Sequence, residues 1–190
     1  MARIKRLSIW KEREEIGLVK PKSVTPIKEV KGIAIHHAGG GMIPPRKLER
    51  EIGKVKAIQK YHMETNKWSD IAYNFVVGNS GTIYEGRGID IRPASQGTKY
   101  GNDNYLSVCW LGDATKHMVK DKALSAINLL IDDLEVIYNK DFEVKAHRDF
   151  KNTECPGDAL YHWIKKGRPS PTVKLNDVLE QIKKKGYYIT

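Results

Sequence analysis

Two neighbouring histidines and a histidine–cysteine pair are the side chains of this sequence best suited to chemistry. His36 and His37 close the segment "KGIAIHHAGGG", and "AHRDFKNTECPG" sets His147 eight positions before Cys155. Cys155 is one of only two cysteines, and four roles are open to it: a buried apolar side chain, half of a disulfide, a nucleophile or a metal ligand. Imidazole nitrogen and thiolate sulfur are the donors that zinc takes in tetrahedral array, and a catalytic zinc uses three of them and leaves a fourth position for water. The interval from His147 to Cys155 is too long for one helical turn and suits a strand end with a loop folding back onto the same point. Neither C-x-x-C nor H-E-x-x-H occurs. Spacing alone therefore leaves a buried thiol and surface histidines open beside zinc.

The elements that must position these residues follow from periodicity and turn chemistry. "KGIAIHHAGGG" reads as a short buried strand entering a glycine-rich loop. After Pro44-Pro45, apolar residues at Leu48, Ile52, Val55, Ile58 and Met63 predict a helix. "IAYNFVVG" and "TIYEGR" read as strands joined by "NSG", a hairpin turn. "NYLSVCWLGD" is apolar enough for a central strand. "DKALSAINLLIDDLEVIYN" predicts a helix capped by Asp121, with a stripe through Leu124, Ile127, Leu130, Leu134 and Ile137. Strand "FEVKAH", helix "GDALYHWIKKG" and helix "LNDVLEQIKKKG" complete the chain. Alternating strands and helices with one hairpin predict an α/β fold, a central mixed β-sheet flanked by α-helices. The domain is assigned to residues 30–190. A basic N-terminal arm, residues 1–29, precedes it, and "SIWKEREEIGL" is expected to form a helical turn or two docked by Trp10.

At 190 residues, with 40% hydrophobic and 29% charged side chains, the chain has the size and composition of one folded domain, not of a disordered segment. Two cysteines do not make a disulfide framework. The excess of 33 Lys+Arg over 23 Asp+Glu, a net +10, draws the molecule to polyanions without naming one. The excess sits at the ends: residues 1–31 hold nine Lys/Arg against four Glu, and residues 165–185 hold seven against two acids, +5 each. A solubilising surface explains either patch equally well. No helix-turn-helix or aromatic–basic interleaving is present, so nucleic acid is not an expected partner. The first residues lack the uninterrupted apolar run of a signal peptide.

Four blocks in order, "IAIHHAGG", "WSDIAYNFVVGNSGTIYEGRG", "YLSVCWLGD" and "AHRDFKNTECPGDAL", resemble the type-2 N-acetylmuramoyl-L-alanine amidases. That superfamily also contains the peptidoglycan recognition proteins and short phage lysozymes of amidase type. The resemblance covers roughly residues 30–165. It implies zinc held by His36, His147 and Cys155, and hydrolysis of the amide between N-acetylmuramic acid and the L-alanine of peptidoglycan. His37 would point the other way along the strand. Tyr73 matches the family's active-site tyrosine, whose phenol donates to the developing oxyanion or positions the attacking water. Thr153 stands where phage relatives often carry lysine and many recognition-type amidases carry threonine, and takes a supporting role. The general base is open, with Glu154 near in sequence only. Loss of the cysteine ligand marks binding-only members, and Cys155 is present.

The remaining expectations concern setting and flanking residues. A phage or prophage endolysin, monomeric and cytoplasmic until lysis, fits the absence of a signal peptide and of a wall-binding repeat, with the basic arm attracted to anionic wall polymers or membrane. Cys109 is expected in the core. Trp68 reads as a structural plug or part of a sugar-binding wall. Arg87 reads as a partner for a stem-peptide carboxylate, a teichoic phosphate or Glu85, and Asn104 as a boundary of the groove by family analogy. His62, His117 and His162 read as surface or helix residues.

Overall fold

A computed structural model describes residues 9–41, 43–44 and 47–171. The expected helix "LNDVLEQIKKKG" and most of the second basic cluster lie outside them. Six strands form one mixed sheet in the order β1-β4-β3-β5-β2-β6. They are β1 (Trp10–Lys11), β2 (Gly32–His37), β3 (Phe75–Val77), β4 (Ile83–Glu85), β5 (Tyr105–Trp110) and β6 (Glu143–Ala146). The hairpin β3–β4 is antiparallel, and every other pairing is parallel. The expected α/β architecture is thus present, with β5 buried along its whole length.

Alternation along the strands divides the core in two. Ile33, Ile35, Phe75, Val77, Leu106, Val108 and Trp110 face α3 (Asp121–Tyr138) and α4 (Asp158–Lys165). Val76, Tyr84 and Cys109 face the opposite way, packing with Ile16, Ile71 and Val55 of α1 (Leu48–Glu64). Cys109 is fully buried, as expected. His36 shares the Cys109 face, in register with it across β2 and β5. A short helix not anticipated from periodicity, α2 (Lys99–Asn104), precedes β5 and is capped by Thr98, whose hydroxyl accepts from Gly101 N–H. Asp121 is the first residue of α3, not its side-chain cap; Lys120 holds the cap position, without a side-chain hydrogen bond.

α1 turns a different face inward from the one its apolar residues suggest. Its buried residues are Glu51, Val55, Gln59, His62 and Met63, while Leu48 is exposed. Polar partners set that rotation. The Glu51 carboxylate accepts from Ser80 N–H at 2.9 Å, from the Ser80 hydroxyl at 2.6 Å and from the Tyr84 phenol at 2.7 Å. Gln59 is bonded to the Val19 backbone and to Asp70. Buried polar groups with full sets of partners hold a helix face as firmly as apolar contact does.

The segment before β2 runs across the domain. It forms β1, paired in parallel with Ile83–Tyr84, and then a helical turn in which Ile16 N–H donates to the Glu12 carbonyl at 3.3 Å. Trp10 docks with its ring centroid 5.7 Å from that of Phe75, and Ile16 is buried in the second cluster. Arg13 donates to Asp70 at 2.9 Å and to the Gly86 carbonyl at 2.8 Å, with Asp70 almost fully buried. Arg13→Ala is expected to lower the unfolding free energy by about 3 kcal/mol, because it strips the cation from a buried carboxylate. The readout is the urea midpoint at an unchanged m-value. An unmoved midpoint would show that this segment contributes nothing to the domain.

Candidate metal centre

Parallel pairing of β2 with both β5 and β6 brings His36 and the end of β6 to one edge. β6 stops at Ala146, and a 3₁₀ turn, His147–Asp149, starts the loop that returns to Cys155. Gly157 ends that loop with φ of 85°, and a Cβ there would lie 2.3 Å from the Ala114 backbone. Only glycine supplies both the left-handed conformation and the close approach. The peptide between Cys155 and Pro156 is cis.

One donor atom each from His36, His147 and Cys155 lies within 4.8 Å of the other two. Cys155 Sγ is 3.8 Å from His36 Nδ1, and the two imidazole centroids are 4.6 Å apart. Zinc–nitrogen and zinc–sulfur bonds of about 2.1 and 2.3 Å set nitrogen and sulfur roughly 3.6 Å apart across a tetrahedral angle. The observed separation fits that geometry closely. The donor set and its spacing fit a zinc ion, with Nδ1 the His36 nitrogen that faces the Cys155 sulfur.

Electrostatics favour the neutral imidazoles that metal binding requires. Burial holds His36 well below the ordinary histidine value, with His147 and His37 adding to the effect. Burial, Lys151 and His37 also lower His147, against an upward pull from the Gln96 backbone. Burial pushes the free Cys155 thiol up to about 11, opposed by the His37 backbone N–H and by Arg148. That N–H donates to Cys155 Sγ at 3.4 Å. The His37 ring is turned away, as expected: its Nδ1 accepts from Ala114 N–H at 3.1 Å and lies 3.6 Å from Asp113.

Tyr73 stands on the same side, its ring centroid 5.5 Å from that of His36. Burial, reinforced by Cys109 and Cys155, raises its phenol well above the ordinary value and keeps it protonated. The Thr153 hydroxyl accepts from Cys155 N–H at 3.3 Å. Thr153 lines a cleft of about 580 Å³ with Thr115, Arg148, Asn152, Glu154 and Asp158. Glu154 is exposed, and its carbonyl, not its carboxylate, makes the bonds that shape the loop, accepting from Gly157 N–H at 2.7 Å and from Arg148.

Sequence reasoning passed over His62. It is buried on the inward face of α1, with its ring edge-on to Tyr73 at 5.8 Å and tilted against Trp68 at 4.9 Å. Its Nδ1 accepts from Ala72 N–H at 3.1 Å. The helical series Glu51, Val55, Gln59, His62 carries the signal, but it is visible only once polar residues are admitted to the inward face. His162 is exposed and His117 half-buried, and neither joins the group of three donors. Trp68 packs one side on His62 and leaves 36% of its surface open. Arg87 does not pair with Glu85; it donates to the Ile71 and Arg92 carbonyls and braces the Tyr73 loop. Asn104 is the last residue of α2, at the opposite end of β5 from the residue that pairs with His36, and bonds Tyr100 and Lys31.

Four of the histidines are expected to make the metal-free fold acid-sensitive. Burial lowers His36, His37, His147 and His62 in the folded chain, His62 to about 4, whereas the unfolded chain titrates at about 6.5. The unfolded state thus binds more protons below that value, and stability falls as pH drops from about 6.5 towards 4. Urea midpoints of the metal-free protein are expected to be lower at pH 5 than at pH 7.5. Equal midpoints would contradict the burial of these rings.

Comparison with known proteins agrees with this geometry. The family described as N-acetylmuramoyl-L-alanine amidase matches residues 26–158. Peptidoglycan recognition protein 1 of Rattus norvegicus is 34% identical over 140 residues, 72% of this chain and 74% of that protein. The N-acetylmuramoyl-L-alanine amidase of Sus scrofa is 31% identical over 147 residues, 75% of this chain but only 24% of the pig protein. Among solved structures, a mutant of Drosophila PGRP-LB in complex with tracheal cytotoxin superposes with a TM-score of 0.76 at 26% identity, over 88% of this chain and 98% of that one. Peptidoglycan recognition protein-LE bound to the same monomeric diaminopimelic acid-type peptidoglycan gives 0.76 at 29%, over 84% and 94%. Matched along most of its length by the family and by these relatives, this chain belongs to the N-acetylmuramoyl-L-alanine amidase family, within the superfamily of the peptidoglycan recognition proteins.

Proposed function

We propose that this chain is a zinc-dependent N-acetylmuramoyl-L-alanine amidase that hydrolyses the amide between N-acetylmuramic acid and L-alanine in peptidoglycan. The observation that carries this reading is the convergence of His36, His147 and Cys155 donor atoms beside the protonated phenol of Tyr73. In this reading the three residues hold zinc, which when bound polarises a carbonyl and acidifies water towards about 7. Tyr73 donates its phenolic proton in a hydrogen bond to the oxygen on which negative charge develops. Thr153, its oxygen occupied by Cys155 N–H, keeps its own O–H to donate to the substrate. The cleft bordered by Thr153 and Arg148 receives part of the muramoyl peptide. The solved relatives that carry tracheal cytotoxin support peptidoglycan as the ligand class.

The setting proposed is that of a phage or prophage endolysin, a monomer held in the cytoplasm until the membrane is breached. The basic residues of the first 29 positions would then draw the enzyme to anionic wall polymers or membrane, a long-range attraction that salt screens. One experiment tests both parts. Purified peptidoglycan is expected to release stem peptides with new L-alanine amino termini, and a zinc chelator is expected to stop the release. New reducing sugar ends in place of amino termini would overturn the bond assignment. Repeated on whole cell walls, the rate is expected to fall with ionic strength, and a flat response would remove the electrostatic part.

A further inference from the structure

The loop that returns from His147 to Cys155 is tied at both ends by one side chain. Arg148 follows His147 directly, and its backbone N–H donates to the Cys155 carbonyl at 3.1 Å. Its guanidinium donates through Nη1 to Asp158 Oδ1 at 2.8 Å and through Nη2 to the carbonyl of Glu154, the residue before Cys155. The guanidinium carbon stands 4.7 Å from the centroid of the Tyr161 ring, on α4. Arg148 Nε is buried and has no partner among the described residues.

No other side chain among the described residues bridges these two ends. Thr153 bonds only the N–H of Cys155, within the same turn. Asp149 bonds Ala146, Tyr161 and Lys165 and does not reach the cysteine. The fork is a property of guanidinium: two coplanar N–H groups grip two acceptors at once while the face stacks on an aromatic ring. An ammonium keeps the charge and loses the fork.

We infer that Arg148 is a positioning residue that holds His147 and Cys155 at the separation a metal ion requires, acting through the loop. This rests on the reading of His36, His147 and Cys155 as the metal centre. Outer partners that fix ligand orientation typically cost about 10–100-fold in metal affinity when removed. A staple that contributed only to stability would lower the melting temperature and leave affinity untouched.

The test uses the full chain with Arg148→Met and Arg148→Lys. Zinc affinity is measured by competition with a chromophoric chelator, and cobalt-loaded protein is compared by its thiolate-to-metal absorption. Arg148→Met is expected to bind zinc about 10–100-fold more weakly, with a changed cobalt spectrum, and Arg148→Lys to fall between it and the parent. If Arg148→Met does not fold, Arg148→Lys decides by the same two readouts. Zinc affinity within twofold of the parent and an unchanged cobalt spectrum overturn the inference, whatever the melting temperature does. A parent chain that binds no zinc overturns the metal-centre reading itself and this inference with it.

Discussion

Cys155→Ser is expected to abolish both zinc binding and amidase activity while leaving the fold in place. Serine is nearly isosteric, so the loop contacts of Arg148, Thr153 and Gly157 persist. What changes is the donor. Thiolate is a soft anionic ligand, whereas a serine hydroxyl keeps its proton at neutral pH and leaves two imidazoles facing an incomplete shell. The free thiol is itself held up to about 11 by burial. Binding therefore has to expel a proton, and zinc affinity is expected to rise with pH. Equilibrium dialysis against zinc, with urea unfolding as the control on the fold, measures both effects. A Cys155→Ser protein that retained stoichiometric zinc and full turnover would remove the cysteine from the centre.

Tyr73→Phe separates the phenol from the ring. The aromatic contacts with His36 and His62 remain, and the hydroxyl beside Cys109 is lost. If the phenol stabilises the developing oxyanion, kcat is expected to fall by about 10²–10³, equivalent to roughly 3 kcal/mol of transition-state stabilisation. KM and zinc content should change little, because the interaction strengthens only as charge develops. A fall of less than threefold would place Tyr73 among the packing residues of the second cluster, with Ile71 and Val55. Steady-state kinetics on a soluble muramoyl peptide, with metal content measured on the same preparation, tells these outcomes apart.

Much of this architecture is legible in the sequence. β2, α1, the β3–β4 hairpin, β5, α3, β6 and α4 all fall where periodicity and turn residues put them. Those signals are local, and strands or helices with a single buried face express them directly. The failures share a cause. β1 is two residues long and lacks a periodic signature; its partner, β4, is more than seventy residues away. α1 carries Glu51, Gln59 and His62 on its buried face because Ser80, Tyr84, Val19, Asp70 and Ala72 accept or donate there. A rule that places charged and amide side chains outside cannot anticipate that. Arg87 and Glu85 sit two residues apart, yet backbone carbonyls claim the guanidinium first.

By itself the sequence offered His36, His37, His147 and Cys155 at strand ends and in a loop, and the mixed α/β class, because a strand is a run of alternating side chains bounded by turn formers. The choice of His36, His147 and Cys155 among them came from the family resemblance of the four sequence blocks. Only the tertiary structure decided that His36, 111 and 119 positions before its partners, meets them within bonding range of one ion. It also decided that His37 turns to Asp113, that His62 enters the site and that Arg148 closes the loop. Those outcomes depend on parallel pairing across β2, β5 and β6 and on which polar groups find partners once buried. Periodicity of about 2 or 3.6 residues carries no information on contacts a hundred residues apart; packing of the two sheet faces supplies it.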